Sequence, residues 1–418
     1  MTAFLKLKSK ANNAFDFIVL FLFGSLFFSI PACSFSTKFS FVTWIITILL
    51  LCAIVVELVF FYRIKIDLIN LSLFLFCISI IIGTLLNHAK SFSPTYIYLT
   101  LFLIIIYTFC SSNVKIRKPL IVFAYLGSIC FLFLFLFSYR KEIIGLKFDR
   151  LGRIFGDEND IAIFNSLGAA LSIYFLCFNK NVFVKLISLI LGLLFVICGI
   201  TSGSKIVIIL LFSIVVLFIL YINGTKRWWL SLIEIVGAIC LIILVLNLPF
   251  ATELKRRFLS MVNIFTDTQI AGADSTDLST IGRMIMFLDG MDMFMRKPLF
   301  GYGINGFMIY GGLNAGWSHN HVSELFSISG IIGVFLYHLP FVTSTFYFVK
   351  KKDSSLFIYF LILFFFFVSM LGIALPGEKM FAFIVGVVYA SLNDVRPIYE
   401  INLFKSIKQK NDLRAAQK

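Results

Sequence analysis

Polar and apolar positions alternate in long blocks rather than at a period of two or of 3.6. Apolar runs cover residues 14–31, 41–62, 68–86, 95–110, 119–138, 160–178, 183–200, 204–222, 228–248, 322–348, 355–374 and 378–392, with short polar segments between most of them. A helix needs about 20 apolar residues to cross the hydrocarbon layer of a bilayer. Only a helix or a closed barrel satisfies its backbone there, and these runs are too long and too uniformly apolar for barrel strands. The pattern predicts an all-α integral membrane protein with about twelve transmembrane helices and one large extracytoplasmic loop. Two adjacent pairs of runs lie close together, so eleven or thirteen spans stay open. Helices 1–9 fall within 1–248, the loop within 249–321, helices 10–12 within 322–392 and a basic tail within 393–418.

Composition agrees. Hydrophobic residues make up 60% and charged residues 14% of the 418 positions, with 52 Phe. Soluble domains average about 45–50% apolar and roughly 25% charged, so much of this surface must face lipid. None of the eight cysteines forms a CxxC pair. Most lie inside apolar runs and read as buried thiols, with no zinc site and no disulfide framework. Lys6, Lys8 and Lys10 precede the first apolar run as in a secretory leader. The following PACSFSTKFS leads directly into another span, so the first helix is read as retained.

Basic residues in short loops orient a membrane protein. With the N-terminus in the cytoplasm, 21 of the 36 Lys and Arg fall in cytoplasmic loops and the tail, among them Lys65, Arg117, Lys118 and Lys351. The short outer loops hold only Lys38, Lys90, Lys205 and Lys379. Both termini are therefore expected in the cytoplasm. Arg140, Lys141, Lys147, Arg150 and Arg153 in one outer segment, and Lys255, Arg256, Arg257, Arg283, Arg296 and Lys297 in the long loop, run against that preference. Anionic substrate at the outer face explains them, and so do anionic headgroups.

A loop of this length is usually functional or disordered. Its first half, TDTQIAGADSTDLST, reads as mobile. In IGRMIMFLDGMDMFMRKP the apolar residues suit an amphipathic helix ended by Pro298. GYGING at 301–306 fits the dinucleotide fingerprint only as a string, because no strand precedes it. Its glycines suit a tight turn or a close backbone approach. His319, Asn320, His321 and Glu324 cluster at the start of a span, and the chain has only four histidines. Histidine is the side chain best suited to moving a proton near neutral pH. A zinc site would need a third strong ligand and better spacing than i, i+2. Asp160 and Glu324 lie where apolar runs begin, and Lys205 follows TSG at another such point. Ionisable groups at that depth usually line a polar cavity.

These residues resemble the O-antigen ligase and O-antigen/capsule polymerase superfamily. Arg283 precedes an amphipathic helix. The Pro298–Gly303 turn reads PLFGYG, the pair His319–Asn320 follows, and Gly330–Gly333 follows that, in the family's order and spacing. GRIFGDENDIA resembles the family's Arg…Gly…Asn segment. TSGSK resembles its Ser-Arg segment with Lys205 in place of Arg, which keeps the charge and loses the bidentate fork. The resemblance implies a multi-pass protein of the bacterial inner membrane that transfers a glycan from a polyprenyl-diphosphate carrier at the outer face, by a single inverting displacement without metal or cofactor. It implies His319 as base and Arg283 as the group stabilising the diphosphate. Arg153, Lys205, Arg150, Asn320, Glu324 and Asp160 would bind diphosphate or glycan. The expected partners are the polyprenyl (undecaprenyl)-diphosphate-linked glycan, an acceptor glycan, membrane lipids and a chain-length regulator, and no nucleic acid. Polymerase is the first reading and ligase the alternative. A lipid-glycan transporter or flippase is the non-enzyme alternative, but it would want its residues near the bilayer midplane.

Overall fold

The computed structural model describes residues 2–32, 37–62, 64–87, 95–144, 158–224, 227–266, 278–311, 318, 320–351, 353–370, 379–393 and 399–401. The first half holds α1 (Thr2–Ala32), α2 (Thr37–Phe60), β1 (Ile64–Ile66), α3 (Leu68–Leu86), α4 (Thr95–Ser112), α5 (Arg117–Ser138), α6 (Arg140–Ile144), α7 (Glu158–Phe178), α8 (Val182–Thr201) and α9 (Ile206–Asn223). The second half holds α10 (Trp228–Leu246), α11 (Thr252–Thr266), α12 (Leu278–Arg296), α13 (Gly306–Tyr310), α14 (His321–Lys351), α15 (Phe357–Ser369), α16 (Lys379–Leu392) and β2 (Tyr399–Ile401). Among the described residues, ten helices are long and apolar enough to cross a membrane, and α15 and α16 add two shorter apolar helices.

Burial separates the inside of the bundle from its lipid face. Phe23, Phe27, Phe76, Phe131 and Phe164 are fully buried, and their rings meet those of neighbouring helices, as Phe131 meets Phe164 at 5.3 Å. Leu232, Ile233 and Leu244 on α10 are more than half exposed, which is the surface a bilayer covers. Several polar groups inside are paired. Tyr125 Oη and Ser172 Oγ lie 2.7 Å apart between α5 and α7, and Asp67 caps α3 by accepting from Ile69 N and Asn70 N.

Helix ends sort into two groups. Lys65, Tyr107, Arg117, Lys351, Leu356 and Asn393 line one cavity, so the starts of α3, α5 and α15 and the ends of α4, α14 and α16 share one end of the bundle. That end carries the Lys and Arg of the short loops. At the same end β1 pairs antiparallel with β2, Lys65 opposite Glu400. Part of the basic tail is thus tied to the loop before α3. The other end collects the end of α3, the starts of α4, α7 and α9, and the long loop.

Two further features differ from the sequence expectation. The loop contains α11, a helix without a separate expectation from the sequence, while most of the stretch expected to be mobile, 266–280, lies outside the described residues. The span expected at 322–348 is not one straight helix. At Gly330 (φ 59°, ψ −166°) the helical path breaks. The His321 ring lies 5.3 Å from those of Tyr337 and His338. In a straight helix, residues sixteen positions apart would be about 24 Å apart along the axis. The chain therefore folds back at Gly330, with residues 321–329 as a short limb against the longer limb 331–351.

Candidate functional site

The break in α14 is held by the PLFGYG turn. Tyr302 N donates to Ser327 O (2.8 Å) and Gly303 N to Ile328 O (2.9 Å), while Ile331 N donates to Pro298 O (2.8 Å). The turn thus takes up carbonyls at the end of the first limb and a donor at the start of the second, groups that a helix end leaves orphaned. Its other side meets α3, where Ile304 N donates to Thr84 Oγ1 (2.9 Å) and Asn87 Nδ2 to Gly301 O (3.1 Å). The glycines are needed because backbone packs on backbone. A Cβ on Gly301 would meet Ile328 C at 2.7 Å, and one on Gly330 would meet Leu299 C at 2.5 Å. GYGING is a structural wedge here.

α12 lies along the first limb of α14. Gly290 sits against Ser323, and the Phe294 ring is 4.5 Å from that of Phe326. The pairings advance together, so the two segments run parallel. Arg283 is seven residues before Gly290, about 10 Å back along the axis, and so lies beyond the start of the limb. The opposite face of α12 exposes Met284, Leu288 and Met295. The amphipathic helix expected from sequence therefore both packs on the bundle and offers an apolar face away from it.

The limb begins inside the bundle. Asn320 caps it, its Oδ1 accepting from Val322 N (2.9 Å) and Ser323 N (3.2 Å). Glu324 is 3% exposed, and its Oε2 accepts from Ser318 N at 2.6 Å. Both side chains proposed for substrate are engaged in shaping the 318–324 segment. His321 N donates to Met370 O at the end of α15 (3.2 Å). The His321 ring is fully buried, and neither nitrogen has a hydrogen-bond partner among the described residues. His319, the expected base, lies outside the described residues, as do Arg150 and Arg153.

Lys205 and Asp160 belong to a second group at the same end. Ser202 Oγ donates to Gly199 O (2.7 Å), and Gly203 adopts φ 69° to turn α8 into α9. Ser204 Oγ donates to Asn159 Oδ1 (2.6 Å), which binds this turn to the start of α7 beside Asp160. Arg257 of α11 donates from Nη1 to Gly203 O (2.7 Å). Lys205 and Asp160 also make interactions of their own. The contacts thus set Asn320 and Glu324 at the start of the limb that α12 packs along, and bring the Ser204–Lys205 turn to the start of α7, next in sequence to Asp160.

Sequence reasoning missed two residues. Arg257 was counted among the outer cations but not placed at the Lys205 turn; the run KRR at 255–257 on a helical stretch was the signal. Asn165, fully buried in α7, has no partner among the described residues for either side-chain polar atom, and its Cβ would face a Cβ built at Gly199 at 3.6 Å. An amide inside an apolar span is the kind of residue that marks a polar pathway. Among the described residues, no three His, Cys, Asp or Glu side chains converge as a metal site.

No curated protein matches the chain. The O-antigen ligase family model matches residues 187–338. That stretch contains the Lys205 turn, α11, α12, the PLFGYG wedge and the broken part of α14. Over residues 187–338, rather more than a third of its length, the chain is similar to the O-antigen ligase family.

Proposed function

We propose that the protein is a surface-polysaccharide polymerase, a metal-independent inverting glycosyltransferase acting on polyprenyl-diphosphate-linked glycan at the outer face of the inner membrane. The observation that supports glycan transfer is the family match over 187–338, which contains Lys205, Arg283, Asn320 and Glu324, at the end of the bundle opposite the Lys- and Arg-rich loops; the choice of polymerase over ligase is left to the experiment below. In the reaction, an acceptor sugar hydroxyl attacks the anomeric carbon of the donor. The bond from that carbon to the diphosphate oxygen breaks with inversion. The hydroxyl proton passes to His319, and the diphosphate leaves with the carrier. Arg283, Arg153 and Lys205 stabilise the charge that develops on the departing oxygen, as oriented cations do in a water-poor site. Arg150, Asp160, Asn320 and Glu324 hold glycan or the segments that grip it.

Purified protein given lipid-diphosphate-linked repeat units tests the reaction. Extended glycan should form, and activity should persist in a strong chelator. Loss on chelation, restored by a divalent ion, would move the work assigned to the arginines onto a cation. A strain lacking the gene separates the two family activities. Single repeat units left on lipid A–core support the polymerase, and bare core supports the ligase.

A further inference from the structure

The end of the bundle opposite the candidate site contains three cavities with shared walls. The first, of 310 Å³, is lined by Lys65, Asp67, Tyr107, Arg117, Lys351 and Asn393 among others. The second, of 290 Å³, shares Arg117, Leu356 and Ser391 with the first, and Lys118, Tyr174 and Phe175 with the third. The third, of 460 Å³, runs from Lys118 to Ile129 along α5, walled by Tyr125, Phe178 and Leu191. Those twelve residues of helix, eleven steps of rise, span about 16 Å of membrane depth.

The chemistry changes along this path. The mouth is cationic. Arg117 is fixed there, its Nε donating to Cys110 O at 2.6 Å. The ammonium groups of Lys65 and Lys118 make no ion pair among the described residues. Of the carboxylates at the mouth, Asp67 is already committed to the α3 cap and to the Tyr107 hydroxyl, and Glu400 stands opposite Lys65 in the β1–β2 pair, away from Arg117 and Lys118 in the sequence. The deep limb is aromatic and aliphatic. A cationic mouth leading to an apolar slot fits an amphiphile with a phosphate head. A free phosphate would leave the slot empty, and an uncharged lipid would leave the cations unmatched.

We propose that this cleft binds one anionic phospholipid, with its phosphate among Lys65, Arg117 and Lys118 and an acyl chain in the slot beside Tyr174 and Phe175. Because the cleft lies between helices, this lipid is distinct from the exchanging shell around the bundle. The site does not depend on the reaction assigned to the opposite end.

Native mass spectrometry and thermal stability of the full-length protein test this, with phosphatidylglycerol, phosphatidylcholine and inorganic phosphate as probes. One phosphatidylglycerol should be retained per molecule, and the melting temperature should rise with it and not with the other two. Lys65→Gln with Lys118→Gln should lower retention at least tenfold. Ile187→Trp, which narrows the slot from its half-exposed rim, should weaken it too. Each variant should melt as the parent does in phosphatidylcholine. Equal retention by parent and double variant would show a nonspecific lipid shell and overturn the proposal. A rise with inorganic phosphate as large as that with phosphatidylglycerol would overturn the lipid assignment.

Discussion

Gly303 and Thr84 are in backbone contact: a Cβ at 303 would stand 2.2 Å from Thr84 N. This closeness lets the PLFGYG turn reach the break in α14 while resting on α3. Gly303 also has φ 80°. Gly303→Ala should therefore combine about 1–2 kcal/mol of left-handed strain with an overpacking cost of about 1–3 kcal/mol. Gly224 also has positive φ, but nothing lies within 4 Å of its Cβ position, so Gly224→Ala should show backbone strain alone. Thermal unfolding of the two variants in one detergent gives the comparison, and equal losses would mean that the wedge is not tightly seated.

His319→Ala should abolish transfer while the protein still inserts and accumulates, since loss of a general base costs about 10²–10⁴ in rate. His321→Ala should act differently. Its ring fills space beside Tyr337 and His338, so the variant should lose stability, and transfer per folded molecule should stay within about tenfold. Near-normal transfer by His319→Ala would remove it as base.

Arg283→Lys should be severe, because an ammonium cannot make two parallel contacts to a diphosphate. Lys205→Arg restores the residue type that the family resemblance leads one to expect and should keep full transfer, while Lys205→Met should lower it at least tenfold. The steady-state rate with the lipid-diphosphate donor is the readout. Full activity in Lys205→Met would leave the Gly203–Ser204 turn with a structural role only.

Topology can be read with single cysteines in a background free of the native ones. A thiol reagent that does not cross membranes should reach position 275 from outside and position 408 only after the cytoplasmic side is opened. Labelling of both from the same side would sink the proposed orientation and the outer-face chemistry.

The spans were legible because lipid imposes a simple rule on length and polarity, and α12 was legible because Pro298 ends a periodic stretch. α11 was not, since its low hydropathy sets it apart from the spans, although its charged and apolar positions separate onto two faces as in an amphipathic helix. The fold-back in α14 was hidden for a different reason. ISGIIG is apolar enough to read as span interior, and what holds the break is the docking of Pro298–Gly303, a long-range contact that hydropathy does not encode. The neighbourhood of Asn320 and Glu324 was identified by the motif. Their occupation in capping and in holding Ser318 depends on side-chain geometry that spacing alone does not give.

The pairing of Ile64–Ile66 with Tyr399–Ile401 also sets a timetable. The partners are about 330 residues apart in the chain, and ribosomes add roughly 5–20 residues per second, so the first strand waits about 17–66 s for the second. All the long spans have been synthesised before this clasp can close. The ladder is therefore a late step in biogenesis, one that fastens an already inserted bundle and takes no part in guiding the early helices into the bilayer.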